Sequence, residues 1–183
     1  LLNKNDNKLH EFKSQWVHGY RDVIKSAARE ADLPEILVSG VAYNEVGGDP
    51  ESVDLPKFAI ASLIPLSTIE NKVSFGATSV QIRRAAEALG YDPSKLTAKQ
   101  QLMLISTLND PKQAVFITAA HLNYLRNIDF PGIRADELTD EEIAVIATRY
   151  NRGPELSYDE IKNKMDYGNA IINRKDHILE LLK

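Results

Sequence analysis

Glu45 is the residue whose surroundings point most directly to chemistry. It closes an apolar run, Ile36 to Val46, and its neighbours Val41, Ala42, Tyr43 and Val46 offer little solvation. A poorly solvated carboxyl holds its proton to higher pH, which is what a general acid requires. Position alone also fits a surface carboxylate, the commoner fate of a glutamate. Other chemistries lack their residues. His10, His18, His121 and His177 are dispersed, with no His-x-x-x-His or Glu-His spacing that would aim two ligands at one metal. His121 falls on the apolar stripe of its helix, which suits a core or cleft-wall histidine. The chain has no cysteine, so thiolate nucleophiles, Cys-ligated zinc and disulfides are excluded. No Gly-x-Ser-x-Gly elbow, phosphate loop or dinucleotide fingerprint occurs.

Helices must position these groups. Leu9, Phe12, Trp16, Tyr20, Val23, Ile24, Ala27 and Ala31 recur every three or four residues and predict one helix over about 9–31. Asp32 with Glu35 has capping-box spacing and opens a helix that runs to Val46, where Gly47-Gly48-Asp49-Pro50 stops it. Glu45 therefore falls in a last turn. From Gly47 to Ser74 there are three prolines, scattered acids and one candidate strand, Phe58 to Ile64. A segment of that length is too long for a plain connector, so we expect a small irregular or β insert. Thr78 with Gln81 has the spacing of a helix start, and Gly90 of its stop. Thr97 with Gln100, Asp110 with Pro111, Thr139 with Glu142 and Ser157 with Glu160 repeat the start signal. The longest helix, Pro111 to Ile128, carries Ile117, His121, Tyr124, Leu125 and Ile128 on one stripe, and the nearly all-apolar Ile143 to Tyr150 belongs at the centre.

At 183 residues, with 43% hydrophobic and 26% charged residues, the chain has room for one well-buried domain. We expect a mainly α single domain over 1–183: the N-terminal helix, a core of about 32–154 and C-terminal helices over about 157–183. Lys and Arg total 22 against 26 Asp and Glu, a formal charge of -4, and the signs are interleaved without a basic block. That argues against nucleic acid or anionic lipid as partners. No apolar run approaches the ~18 residues needed to cross a bilayer. The chain begins at Leu1 without a basic-then-apolar signal pattern, which suggests a processed or excised fragment.

Three further segments gain meaning when set beside Glu45: Ser74 to Ile82, Asn109 to Gln113 leading to His121-Leu122-Asn123-Tyr124-Leu125, and Ala147-Thr148-Arg149-Tyr150-Asn151-Arg152-Gly153-Pro154. In that order and spacing the chain resembles the soluble lytic transglycosylase and goose-type lysozyme superfamily, over about Ile36 to Pro154. The resemblance implies a lysozyme-like helical domain that cuts the β-1,4 bond between N-acetylmuramic acid and N-acetylglucosamine in peptidoglycan, without a cofactor or metal. It makes Glu45 the catalytic acid and Gln81 a substrate-lining glutamine, and it sets Tyr150 and Asn151 beside the acid and the sugar N-acetyl group. Two positions depart from the pattern: Val46 stands where the family has Ser, and Ala77 to Val80 replace Gly-Leu-Met. The family's substrate lies outside the cytoplasm, so the resemblance implies secretion or delivery to the bacterial periplasm or cell wall. We expect an antibacterial muramidase effector acting on peptidoglycan glycan strands, which leaves room for an immunity protein as partner.

A hydrolase of this kind needs a second carboxylate. Among Asp49, Glu51 and Asp54, Asp54 is the expected one, because Val53 and Leu55 could anchor a strand edge around it; an inverting enzyme would set it about 6.5–9.5 Å from Glu45. A lytic transglycosylase needs no such residue, since the muramic acid's 6-hydroxyl attacks and leaves a 1,6-anhydro end. Two alternatives come from other classes. One is a non-catalytic peptidoglycan-binding module. The other is a helix-turn-helix over Val80 to Ile105, against which stands a second helix offering only Lys99 before it turns apolar.

Overall fold

The computed structural model describes residues 4–47 and 74–183. Among them are ten α-helices: α1 (Lys4–Gly19), α2 (Arg21–Glu30), α3 (Glu35–Glu45), α4 (Ile82–Ala88), α5 (Ala98–Asn109), α6 (Pro111–Asp129), α7 (Asp140–Arg152), α8 (Tyr158–Lys162), α9 (Asp166–Ile172) and α10 (Lys175–Glu180). One antiparallel hairpin, β1 (Ser74–Phe75) with β2 (Val80–Gln81), pairs Ser74 with Gln81 and Phe75 with Val80. The protein is mainly α with a small β element. Asp54, Asp49, Glu51 and the Phe58 to Ile64 run lie outside the described residues.

The local start signals produce the helices they specify. Thr97, Thr139 and Ser157 each form a complete capping box, and Asp110 accepts from the backbone N–H of Lys112 and Gln113 ahead of Pro111. Three expectations need correction. The periodic stretch from Leu9 to Ala31 is two helices, broken between Gly19 and Tyr20, and Leu9 and Phe12 at its start remain half exposed. Apolar spacing runs unbroken across that corner, so periodicity could not show it. Asp32 does not cap α3. It sits at φ +50 and ends α2, with Leu33 N–H bonding Ala28 O and Asp32 N–H bonding Arg29 O, the paired bonds of a Schellman motif. Pro34 is then the residue before α3. Thr78 opens no helix either. Its hydroxyl is buried against Thr118, which donates to it at 2.9 Å, and the chain passes through β2 before α4 begins at Ile82.

Two helices have apolar residues on every side and are buried accordingly. In α3 every residue from Ile36 to Tyr43 is buried, and in α7 every residue from Ile143 to Arg149. They belong to a main core with Ile24 of α2, Leu122 and Leu125 of α6, Ile171 of α9 and Ile178 of α10. A second core of Phe75, Val80, Ile82, Leu104, Leu108 and Ile117 seats the hairpin on α4, α5 and α6. Tyr150 packs against both cores. The seam between them is where Glu45 emerges.

Candidate active site

Glu45 is the last residue of α3 and lines a cavity of about 230 Å³ together with Ser79, Gln81, Arg83, Arg84, His121, Tyr150 and Asn151. Burial raises its pKa above the ordinary glutamate value, and three groups oppose that rise: Tyr167, Ser79 and the charge of Lys13. Tyr167 Oη donates to Glu45 Oε1 at 2.7 Å. Lys13 Nζ, on α1, donates to the carbonyl of Asn44 at 2.7 Å, which ties the N-terminal helix to the end of α3. Burial lowers the Lys13 pKa, with Glu45 acting the other way. The result is a carboxyl held in one orientation and kept partly from water, able to carry a proton to the cavity.

Packing places each partner. Tyr167 is delivered by α9, whose Gly168 lies directly on α7; a Cβ at Gly168 would fall 2.0 Å from the Ala144 carbonyl oxygen. Gly168 N–H donates to Thr148 Oγ1 at 3.2 Å, fixing the register of α9 on α7. Ser79 reaches the site from the hairpin turn, with φ +54. The turn can lie this close to α5 because residue 76 is glycine, at φ +75 and with no room for a Cβ against the Leu108 carbonyl.

Tyr150 stands in the cavity wall, but its hydroxyl does not bond Glu45. It donates to the Thr78 backbone oxygen at 2.7 Å and so ties the hairpin to α7. Burial, with the nearby Glu45 charge, keeps this phenol protonated far above its ordinary range, and the same two influences act on Tyr167. Asn151 is exposed at the cavity. Gln81 lines it too, its Oε1 accepting from Arg83 Nε at 2.8 Å. Four of the five expected site residues thus share one cavity; Asp54 lies outside the described residues. His121 forms a buried part of the wall, 3% exposed, and among the described residues its Nδ1 has no hydrogen-bond partner. Burial, reinforced by the Arg84 charge, lowers its pKa to about 3, so it is neutral near pH 7 and is no proton donor there.

The segment after α7 is held from below. Arg149, 2% exposed, makes a two-pronged ion pair with Asp129 and donates to the carbonyls of Leu156, at 2.7 Å, and Pro154, at 3.3 Å. Reading the sequence missed Tyr167, Ser79 and Lys13. Tyr167 follows Pro154, where the family-like motifs end; Ser79 lies within the Ser74 to Ile82 segment but was given no role there, and Lys13 carries no local pattern that sets it apart from surface polar residues.

Among the described residues, no helix is long and apolar enough to cross a membrane, and no three His, Asp or Glu side chains group as metal ligands. No family model, curated protein or solved structure matches the chain.

Proposed function

We propose that the protein is a lysozyme-like glycosidase that cuts the β-1,4 bond between N-acetylmuramic acid and N-acetylglucosamine in peptidoglycan, with Glu45 as the general acid. The observation that carries this reading is the Glu45 carboxyl itself: at a helix end, aimed at a cavity, its pKa raised by burial and its Oε1 held by Tyr167. Four motifs in family order supply the substrate. Glu45 gives its proton to the glycosidic oxygen as the bond to C1 breaks, so the leaving sugar departs as an alcohol. Gln81 and Asn151 offer amides to the sugar from the cavity wall, and Tyr150 keeps the hairpin bearing Gln81 against α7. In the hydrolytic form, Asp54 takes a proton from the water that attacks C1. In the transglycosylase form, the muramic acid's own 6-hydroxyl attacks C1 and gives its proton to the Glu45 carboxylate left by the first step. The substrate class extends the proposal to an effector delivered to the bacterial periplasm or wall, where an immunity protein would cover the cavity.

Digestion of purified sacculi, followed by mass analysis of the released muropeptides, tests the reading. We expect the native protein to release disaccharide-peptides and Glu45→Gln to lose roughly 10²- to 10⁴-fold in rate, the usual worth of general acid catalysis. Full activity in the variant would remove Glu45 from the mechanism. Products lighter by one water would assign the transglycosylase form and release Asp54 from its role.

A further inference from the structure

We propose that His10 and His177 form a two-histidine site for a first-row transition-metal ion, Zn²⁺, Ni²⁺ or Cu²⁺, that clamps α1 to α10. Neither residue lines the Glu45 cavity, and the inference stands independently of the glycosidase reading. The two are the first and last histidines of the chain, so sequence spacing could not pair them. The fold does: α1 and α10 both pack on α3 and bring the rings to a centroid separation of 5.0 Å, inclined at 45°. With metal–nitrogen bonds of about 2.1 Å, imidazoles on adjacent positions of one tetrahedral or square-planar ion have centroids roughly 4.5–5.3 Å apart. Both residues are exposed, so an ion can reach them.

The surroundings suit ligation. Ser14 Oγ holds Nε2 of His177 at 3.1 Å. Metal-bound imidazoles ordinarily have one nitrogen fixed by an oxygen in this way and give the other to the ion. Among the described residues, the second nitrogen of His177 and both nitrogens of His10 make no hydrogen bond. Tyr43, from α3, is 3% exposed and meets both rings edge-on, at 5.8 Å from His10 and 5.9 Å from His177. Its buried hydroxyl has no partner among the described residues, an orphan that a water on a bound ion would satisfy. His18, the other histidine of α1, is committed elsewhere, with Nδ1 3.0 Å from the Leu181 carbonyl oxygen. Nearby cations select the type of ion. Lys13 Nζ stands 5.9 Å from the Tyr43 ring centroid, and Arg174 acts on His177 by charge. They repel an ion held by charge alone, such as Mg²⁺ or Ca²⁺, whereas Zn²⁺, Ni²⁺ and Cu²⁺ bond neutral imidazole nitrogen directly. Burial, then the charges of His10 and Arg174, lowers the His177 pKa and keeps that ring ready to ligate near pH 7. An ion shared by the two rings would fasten the helix from which Lys13 reaches the Asn44 carbonyl at the end of α3.

Calorimetric titration of the untagged protein with zinc chloride near neutral pH tests the site. We expect one ion to bind per chain, magnesium chloride at equal ionic strength to give no binding heat, and zinc binding to weaken as the imidazoles protonate in mild acid. Losing an outer-shell partner costs roughly 10- to 100-fold in metal affinity, so His10→Gln and His177→Gln, which each remove a ligand, should each cost at least about tenfold, while His18→Gln stays within about twofold. A second measurement on the native protein decides the matter even where a variant fails to fold: in proton NMR the imidazole signals of His10 and His177 should shift together on adding Zn²⁺, ahead of those of His18 and His121. Amide hydrogen exchange in α1 should slow at the same time. A native protein that takes up no Zn²⁺, full affinity in the double variant His10→Gln, His177→Gln, one ion per two chains, or an NMR shift led by His18 overturns the site. Unchanged exchange in α1 with zinc bound overturns the clamp.

Discussion

Replacing Gly168 with alanine should reverse the sign that helix propensity assigns to it. In an open helix interior, glycine to alanine stabilises by roughly 0.5–1 kcal/mol. Here the added Cβ would lie 2.0 Å from the Ala144 oxygen, 2.6 Å from its carbonyl carbon and 2.7 Å from its Cα, all backbone atoms that cannot rotate away. Reaching the 3.0 Å below which Cβ contacts are essentially never found requires about 1 Å of separation between α9 and α7. Overpacking costs typically 1–3 kcal/mol, and a backbone-to-backbone clash belongs at about 3 kcal/mol. For a chain of this size that lowers the melting temperature by about 6–12 °C. The same movement stretches the 2.7 Å Tyr167–Glu45 bond out of hydrogen-bonding range. Glu45 then loses a donor that favours its anion, so, under the proposed glycosidase function, the alkaline limb of the activity profile should move to higher pH. Thermal melting by circular dichroism and a pH series of sacculus lysis measure both effects. Gly19→Ala is the control, since nothing among the described residues lies within 4 Å of its Cβ, and it should be neutral or slightly stabilising. A Gly168→Ala protein that melts at or above the native temperature would refute the packing argument.

Tyr167→Phe should shift the same alkaline limb upward with little loss of helical content, whereas Tyr150→Phe should cost about 1 kcal/mol of stability through the lost bond to Thr78 and leave the limb in place; identical profiles for the two would deny Tyr167 its special role. Glu45→Gln should melt higher than the native protein at pH 7. The raised pKa means that folding favours the protonated form, so this residue's contribution is full below its unfolded pKa and is lost as pH rises through the folded one. The difference should vanish near pH 4, and melting curves at both pH values check it. Asp129→Ala leaves the Arg149 guanidinium buried without its carboxylate and should destabilise by about 3–5 kcal/mol in urea titrations; a loss under about 1 kcal/mol would mean that the carbonyls of Pro154 and Leu156 suffice.

Several features were legible before any fold was in view because their physics is local. Thr97 with Gln100, Thr139 with Glu142 and Ser157 with Glu160 each satisfy backbone donors within four residues, so the helix start is written where it occurs. The apolar run before Glu45 was legible in the same way, and α3 is buried from Ile36 to Tyr43, with Glu45 itself half-buried at its end and its pKa raised by burial. Where the same spacing served another purpose, local reading failed. Asp32 closes α2 rather than opening α3, and Thr78 turns inward to Thr118 because the second core claims the hairpin.

What only the tertiary structure decided is the company Glu45 keeps. Its hydrogen-bond partner Tyr167 stands 122 residues away, and it arrives because Gly168 lets α9 lie against the Ala144 backbone of α7. Lys13 reaches the end of α3 from a helix that periodicity alone merged with the next. Tyr150, expected beside the acid, spends its hydroxyl on Thr78. A residue's type and its neighbours in sequence fix what it can donate, accept or bury. Which partner it meets depends on which helix faces pack, and that is settled by the fit of many side chains at once, information no short stretch of this sequence contains.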